Sequence, residues 1–192
     1  MAAGESKRFN GIKQLAMVNG QTLLNRAIAQ CQQAELNGFS VALGANFHQI
    51  YPSLATKLQS HKLTRWQQGM GSSLSEIVSL APASATHILV VLADQIAISH
   101  ITLNTLIEAA KKSANKIVCA KYEAVHGVPA IFPKTYFAEL IGLSGERGAR
   151  ALLHKYAGES VAVALPEAAT DIDTQADLQR WFDNTRSQDG RS

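Results

Sequence analysis

Short, continuously apolar runs alternate along the chain with stretches in which apolar residues recur every three or four positions. That alternation predicts an α/β domain on a mainly parallel sheet. Residues 87–92, His-Ile-Leu-Val-Val-Leu, form the clearest strand, and their unbroken apolarity implies cover on both faces. Residues 38–44, 116–120, 128–132 and 160–165 are further strands, and Pro129, which has no N–H, assigns the third of these to an edge or an irregular strand. Helices fill the intervals. Thr22 is placed to cap one running to about residue 35, with Leu23, Leu24, Ala27, Ile28 and Cys31 on its inner face. Ser99 or Thr102 starts another that ends near Lys112, and further helices are expected over 50–59, 73–80, 148–156 and 174–182. Residues 1–184 read as one domain, and the apolar-free residues 185–192 as a frayed tail.

Composition narrows the function classes. With 192 residues, 46% hydrophobic and 17% charged, the chain has enough apolar material for one substantial core. The net charge of +3 is small and its cations are dispersed apart from one opening cluster, so a nucleic-acid groove is not indicated. No apolar run approaches a membrane span, no apolar leader is evident, and Cys31 and Cys119 are isolated, which reads as a reduced cytoplasmic protein with two buried thiols.

The opening cluster carries the chemistry. Residues 2–15 hold two glycines, one serine and three cations against a single acid, in a segment too irregular for a helix or a strand. Such a loop suits phosphates, because glycine lets backbone N–H groups approach an anion and the cations neutralise it. Ala2-Ala3-Gly4-Glu5-Ser6-Lys7-Arg8-Phe9-Asn10-Gly11-Ile12-Lys13 resembles the signature A-A-G-x-S-x-R-(M/F)-G-x-x-K of the MobA-like nucleotidyltransferases. Asn10 stands where the signature has glycine, and asparagine tolerates the left-handed backbone such a position can require. The resemblance implies a three-layer, Rossmann-like nucleotidyltransferase fold of the nucleotide-diphospho-sugar transferase kind. It also implies nucleotide contacts from Ala3, Gly4, Ser6, Arg8 and Lys13. Members of that family carry an apolar strand ahead of the loop, which here begins at Met1. The sequence therefore reads as a truncated chain or one with a mis-set start codon, with a central sheet position empty or refilled and stability reduced.

Four more segments follow in family order. Gly69-Met70-Gly71-Ser72-Ser73-Leu74 leads into a helical pattern, where amides and hydroxyls can meet a ligand or simply cap the helix. It resembles the family's G-M-x-x-S-L loop, which assigns Gly69, Gly71, Ser72 and Ser73 to the nucleotide. Asp94 directly follows the strand at 87–92, and ligands bind at the carboxyl ends of parallel strands, so its carboxylate is placed for Mg²⁺. Asp94-Gln95 resembles the family's D-Q-P, with Ile96 in place of proline. Asp171-Ile172-Asp173-Thr174 resembles D-I-D-T-P-E-D-L. Asp171 is the first choice for a second metal ligand, Asp173 being equally explained as a helix cap. Residues 126–132 resemble a G-x-P-x-x-F strand on the acceptor side, which implicates Gly127 and Pro129. Residues 143–153 resemble L-x-G-D-x-G-A-R-x-L-L with Glu146 for Asp. There Arg147 and Arg150 are either acceptor-phosphate ligands or solvated charges.

Taken together, these segments imply a Mg²⁺-dependent nucleotidyltransferase with Arg8, Lys13 and Asp94 as its catalytic groups. The Ala-Ala-Gly opening goes with the family's molybdenum cofactor cytidylyltransferase branch, which implies CTP and a molybdopterin acceptor, with a molybdoenzyme as possible recipient of the product. A sugar or polyol phosphate acceptor remains open, as does a non-catalytic maturation factor that carries nucleotide or cofactor. A dinucleotide-dependent oxidoreductase fits poorly, since no G-x-G-x-x-G occurs at the loop.

Overall fold

The computed structural model describes residues 1–55 and 58–189, with side chains described as far as Arg186. After two short 3₁₀ turns, Lys7–Phe9 and Lys13–Leu15, the chain makes a hairpin of β1 (Met17–Val18) and β2 (Gln21–Thr22). Asn19 and Gly20 turn it, both with positive φ (49° and 81°), the backbone that favours Asn-Gly in two-residue hairpins. Helix α1 (Leu23–Gln33) follows at once, with the Thr22 hydroxyl accepting the Asn25 N–H at 3.1 Å as expected of a cap. Then come β3 (Val41–Leu43), α2 (Phe47–Ile50), β4 (Ser60–Lys62), α3 (Met70–Ser79), β5 (His87–Val90) and α4 (His100–Lys112), the last capped by Ser99. The remainder is β6 (Val118–Tyr122), β7 (Val125–Pro133), α5 (Phe137–Ile141), α6 (Arg150–Lys155), β8 (Val161–Ala164) and α7 (Gln175–Asp189).

Strands β5, β7, β6 and β8 form one sheet in that order, with β7 antiparallel to both neighbours and β6–β8 parallel. β3 pairs with β4 in parallel. Residues 1–3 join the two pieces: the Ala2 N–H donates to Ala42 O at 2.9 Å, the Met1 ammonium to Val91 O at 2.8 Å, and the Ala93 N–H to Met1 O at 3.1 Å. The whole is a sheet that is parallel except for β7. On one face lie α3, α5 and α6, through Leu74, Val78, Leu140, Leu152 and Leu153 packed on Val90, Cys119 and Phe132. On the other lie α1 and α4, whose Leu24, Ile28, Leu103 and Leu106 cover Val41, Leu43, Val118 and Ile131. This is the three-layer arrangement expected. No helix among the described residues is long and apolar enough to cross a membrane.

Several expectations are corrected. Of the two alternatives for Pro129, the structure has the irregular strand and not the edge: β7 is flanked by strands on both sides, and the register of β6 shifts between Cys119 and Ala120 opposite the Val128-Pro129 pair, so a bulge absorbs the missing donor. The helix expected over 50–59 is instead the four-residue α2 and a 3₁₀ turn at Tyr51–Ser53. The sheet recruits the later residues, the Val41 N–H donating to Gln59 O at 2.9 Å, while Thr56 and Lys57 lie outside the described residues. The last helix runs to Asp189 rather than ending near Phe182, the Thr185 hydroxyl donating back to Trp181 O and Phe182 O. At the central sheet position expected to be empty or refilled, the described residues that pair with both neighbours are 1–3.

Candidate active site at the carboxyl end of the central strands

Three segments distant in sequence meet beyond the carboxyl end of β5. They are the opening loop, the turn 93–95, and residues 171–173, which are held beside that turn by the Ile172 N–H donating to Asp94 O at 2.9 Å. The loop takes its shape from residues that leave the common backbone regions: Ser6 and Asn10 are both left-handed, at φ 59° and 54°. Asn10 thus adopts the conformation for which the signature uses glycine. Gln14, which the sequence reading passed over, holds the loop from within. Its amide donates to Ala2 O at 3.2 Å and Gly4 O at 3.0 Å while its Oε1 accepts from the Ser6 hydroxyl at 3.1 Å. Phe9, Ile96 and Ile172 are buried together with Leu23 beneath the site, so the isoleucine that replaces proline after Asp-Gln serves as core.

Lys13 is the centre of the charge arrangement. Its Nζ donates to Asp94 Oδ2 at 2.8 Å and to Asp173 Oδ1 at 2.9 Å, and Arg8 donates to the other Asp173 oxygen at 2.7 Å. Burial works against the Lys13 charge, but Asp94 and then Asp173 outweigh it and hold the ammonium above the usual lysine range. Arg8 remains 74% exposed while it is paired with Asp173. Asp94 Oδ1 is buried without a hydrogen-bond partner. An anionic oxygen in that state fits a hard cation, which typically takes one or two carboxylates and completes its shell with water and substrate phosphates. Among the described residues no trio of His, Cys, Asp and Glu gathers to hold an ion without such help.

On sequence Asp171 is the first choice for a second metal ligand. Asp173, not Asp171, shares Lys13 with Asp94. Asp173 is also released from capping, because Asp177 does that work: its Oδ2 accepts from Thr174 N–H at 2.7 Å and Asp173 N–H at 3.1 Å while the Thr174 hydroxyl accepts from Asp177 N–H. Asp171 stands at the margin, its carboxyl pushed up by desolvation and by the Asp173 and Asp94 charges.

The remaining sequence candidates separate into two groups. Gly69, Gly71 and Ser72 are spent on packing. The Gly71 N–H donates to Gly145 O at 2.8 Å, the Ser72 hydroxyl accepts the Gly145 N–H at 3.1 Å, and a Cβ on Gly71 would stand 2.5 Å from Arg147 O. Their smallness is thus explained by the 144–147 loop; Ser73 is buried in the same turn, its N–H donating to Gly69 O. Gly4 is different, since a Cβ there would meet nothing within 4 Å. On the β7 side, Gly127 lies directly against the Tyr122 ring, and Gln95 donates to Val128 O at 2.8 Å and Ala168 O at 2.9 Å, tying β7 to the turn at 93–95. Gln95 Oε1 and His126 Nδ1 are buried and unpartnered near this junction. The first completes a Gln that the sequence reading used only as a motif letter, and the second is a histidine to which it gave no role. Arg147, on the loop, and Arg150, at the start of α6, are both exposed.

A three-layer sheet with an anion-suited loop and two carboxylates sharing a lysine at its strand ends defines a nucleotidyltransferase. Residues 1–161 match the MobA-like NTP transferase domain, and the chain belongs to that family. It is 28% identical over 190 residues to the purine catabolism protein PucB of Bacillus subtilis, covering 91% of this chain and 89% of that one. Among solved structures it resembles Rv0371c of Mycobacterium tuberculosis H37Rv, with 26% identity, a TM-score of 0.80 and 95% of each chain covered. A manganese complex of that protein matches at 25% identity and a TM-score of 0.77, over 93% of this chain and 92% of that one.

Proposed function

We propose that the chain transfers the CMP moiety of CTP to a phosphate of a molybdopterin-type acceptor, with release of pyrophosphate and with Mg²⁺ held by Asp94 and Asp173. The observation that carries this reading is the Lys13 bridge between the two carboxylates, one of which retains an unpartnered buried oxygen. The manganese-bound relative supports a divalent cation, and the Ala-Ala-Gly opening supports cytidine.

In this reading an acceptor phosphate oxygen attacks the α-phosphorus, a P–O bond forms, and the bond to the pyrophosphate oxygen breaks, the electron pair leaving with pyrophosphate. The bound cation supplies charge neutralisation at the phosphates. Asp94 and Asp173 would hold the cation, while Arg8, exposed beside Asp173, and Lys13, lying between the two carboxylates, are placed to donate to the phosphate oxygens. The 2–14 backbone, with open space at Gly4, lets amide N–H groups approach the anion. No proton needs to be removed from an acceptor phosphate that is already ionised, which leaves the carboxylates beside Lys13 to hold the cation.

The test is twofold. With Mg²⁺ present, CTP raises the melting temperature more than GTP does, and equal or reversed shifts discard the cytidine assignment. Pyrophosphate release is then measured with molybdopterin and with sugar and polyol phosphates, and turnover confined to the latter replaces the acceptor.

A further inference from the structure

Gln95, next to Asp94, is only 6% exposed, although glutamine is ordinarily a surface residue. Its amide reaches two carbonyls of other elements, Val128 O of β7 at 2.8 Å and Ala168 O of the 3₁₀ turn Pro166–Ala169 at 2.9 Å. Both donors face acceptors, so the amide has one orientation, since reversing it would set its oxygen against both carbonyls. Oε1 is left buried without a partner, a cost that an apolar side chain of the same size would not incur. What Gln95 alone supplies is therefore the pair of N–H donors. Those donors hold the start of the segment that carries Asp173. Ala168, buried, is fastened to Gln95, and Ile172, also buried, donates its N–H to Asp94 O at 2.9 Å. The segment 168–172 is thus an arch whose two feet stand on consecutive residues of one turn. Beyond it, Asp177 accepts the Asp173 and Thr174 N–H groups. The outer side of the same 3₁₀ turn is tied elsewhere, the Thr102 hydroxyl of α4 donating to Glu167 Oε1 at 2.8 Å.

We propose that Gln95 is a positioning residue, whose amide fixes the spacing of Asp94 and Asp173 and, through that spacing, the affinity of the pair for a divalent cation. The inference rests on the reading of these two carboxylates as the cation's ligands. Two carboxylates grip a hard cation together only when their oxygens are held at the separation the ion requires. Groups that orient ligands without touching the ion typically govern about 10- to 100-fold of metal affinity. Gln95 is placed for that role because its own backbone adjoins Asp94 while its side chain holds the foot of the arch leading to Asp173. The bond to Val128 O adds a fixed reference, since β7 lies between two strands of the sheet and cannot follow a shift of the turn.

The experiment titrates Mn²⁺ alone into the nucleotide-free chain, followed by electron paramagnetic resonance, and reads hydrogen exchange over residues 169–173 without metal. Gln95→Met, which fills the same volume without donors, is expected to weaken Mn²⁺ binding about tenfold or more and to speed that exchange. Thr102→Val removes the outer tie of the same turn, so it should lower the melting temperature yet leave Mn²⁺ affinity within about twofold. In Asp173→Ala one carboxylate of the pair is gone and spacing has no meaning, so adding Gln95→Met there should cost less than about a further twofold. Should Gln95→Met not fold, Gln95→Asn, which keeps the amide but shortens its reach, is read in the same way. Losses that multiply in the double variant overturn the proposal, and so does a Thr102→Val loss equal to that of Gln95→Met, because either would reduce Gln95 to a support of general stability. If Asp94→Ala and Asp173→Ala both leave Mn²⁺ binding unchanged, the ligand reading itself falls and the proposal with it. If both weaken binding and Gln95→Met does not, the positioning role alone is refuted.

Discussion

Lys13 occupies, as a single ammonium, the place between two carboxylates where a divalent cation has its best electrostatic position. The two must compete. Lys13→Ala is therefore expected to bind Mn²⁺ more tightly in the nucleotide-free protein, by about tenfold for each 1.4 kcal/mol of competition removed, while turnover falls about 10²- to 10³-fold for want of a phosphate donor. Mn²⁺ titration followed by electron paramagnetic resonance reads the first effect separately from activity, and weaker binding in the variant refutes the competition. Asp171 offers a second test. Its folded-state carboxyl is raised by desolvation and by Asp173 and Asp94, so folding binds a proton there, and the associated stability falls as pH rises from the ordinary aspartate value through the raised one. At neutral pH Asp171→Asn should raise the melting temperature by about a degree, small because the side chain is exposed, and the gain should vanish near pH 3. The motif letters named Lys13, Arg8 and Asp94, which the structure brings together around Asp173. They put Asp171 ahead of Asp173 because capping explains Asp173 equally well, whereas the Thr174–Asp177 pair, legible as a pattern, takes over that capping.

At the scale of elements, α3 joins two parts of the site scaffold, and a carboxylate on it does more than a surface charge. Glu76 accepts from Thr64 N–H at 2.9 Å, Arg65 N–H at 2.9 Å and the Thr64 hydroxyl at 2.9 Å, fastening the turn after β4. Desolvation alone would raise its pKa, but these donors and the Arg65 charge prevail and hold it below the usual glutamate range. The stability it contributes is present above the ordinary glutamate value and is lost as pH falls through the lowered one. Glu76→Gln should cost about 1 kcal/mol at pH 7 and progressively less as pH falls below the ordinary glutamate value through the lowered one, measured by urea denaturation. On the same helix Gly71→Ala sets a Cβ against Arg147 O and Ser144 O, backbone atoms that cannot swing away, and should cost about 1–3 kcal/mol. The small-residue pattern at 69–74 was visible in the sequence, but its cause was not, since a glycine admits a ligand and a neighbouring backbone alike. Periodicity found α1, α4 and β5 with their caps, while the residue 50–59 helix failed because pairing with β3 took Gln59. The β1–β2 hairpin was readable from Asn19-Gly20 and went unused.

The whole molecule brings the loop, the turn after β5 and the 171–173 segment together across more than 150 residues of chain, and three carboxylates, one lysine and one arginine depend on that convergence. Unfolding scatters them, so a ligand that needs all three segments binds the native state alone. Asp94 and Asp173 are expected to hold Mn²⁺ or Mg²⁺ weakly without nucleotide, because one oxygen remains free and Lys13 neutralises much of their charge. Nucleotide supplies the missing oxygens and draws Lys13 away, so cation and nucleotide should bind cooperatively. At a hundredfold excess over Kd the native state gains about 2.7 kcal/mol, roughly 5–10 °C in melting temperature for a domain of this size. Cation alone should give a small shift and CTP with a chelator little, so the combined shift should exceed their sum. Asp173→Asn should reduce the combined shift far more than Asp171→Asn does. The opposite ranking would return the second metal ligand to Asp171 and leave Asp173 as a partner of Arg8 and Lys13 alone.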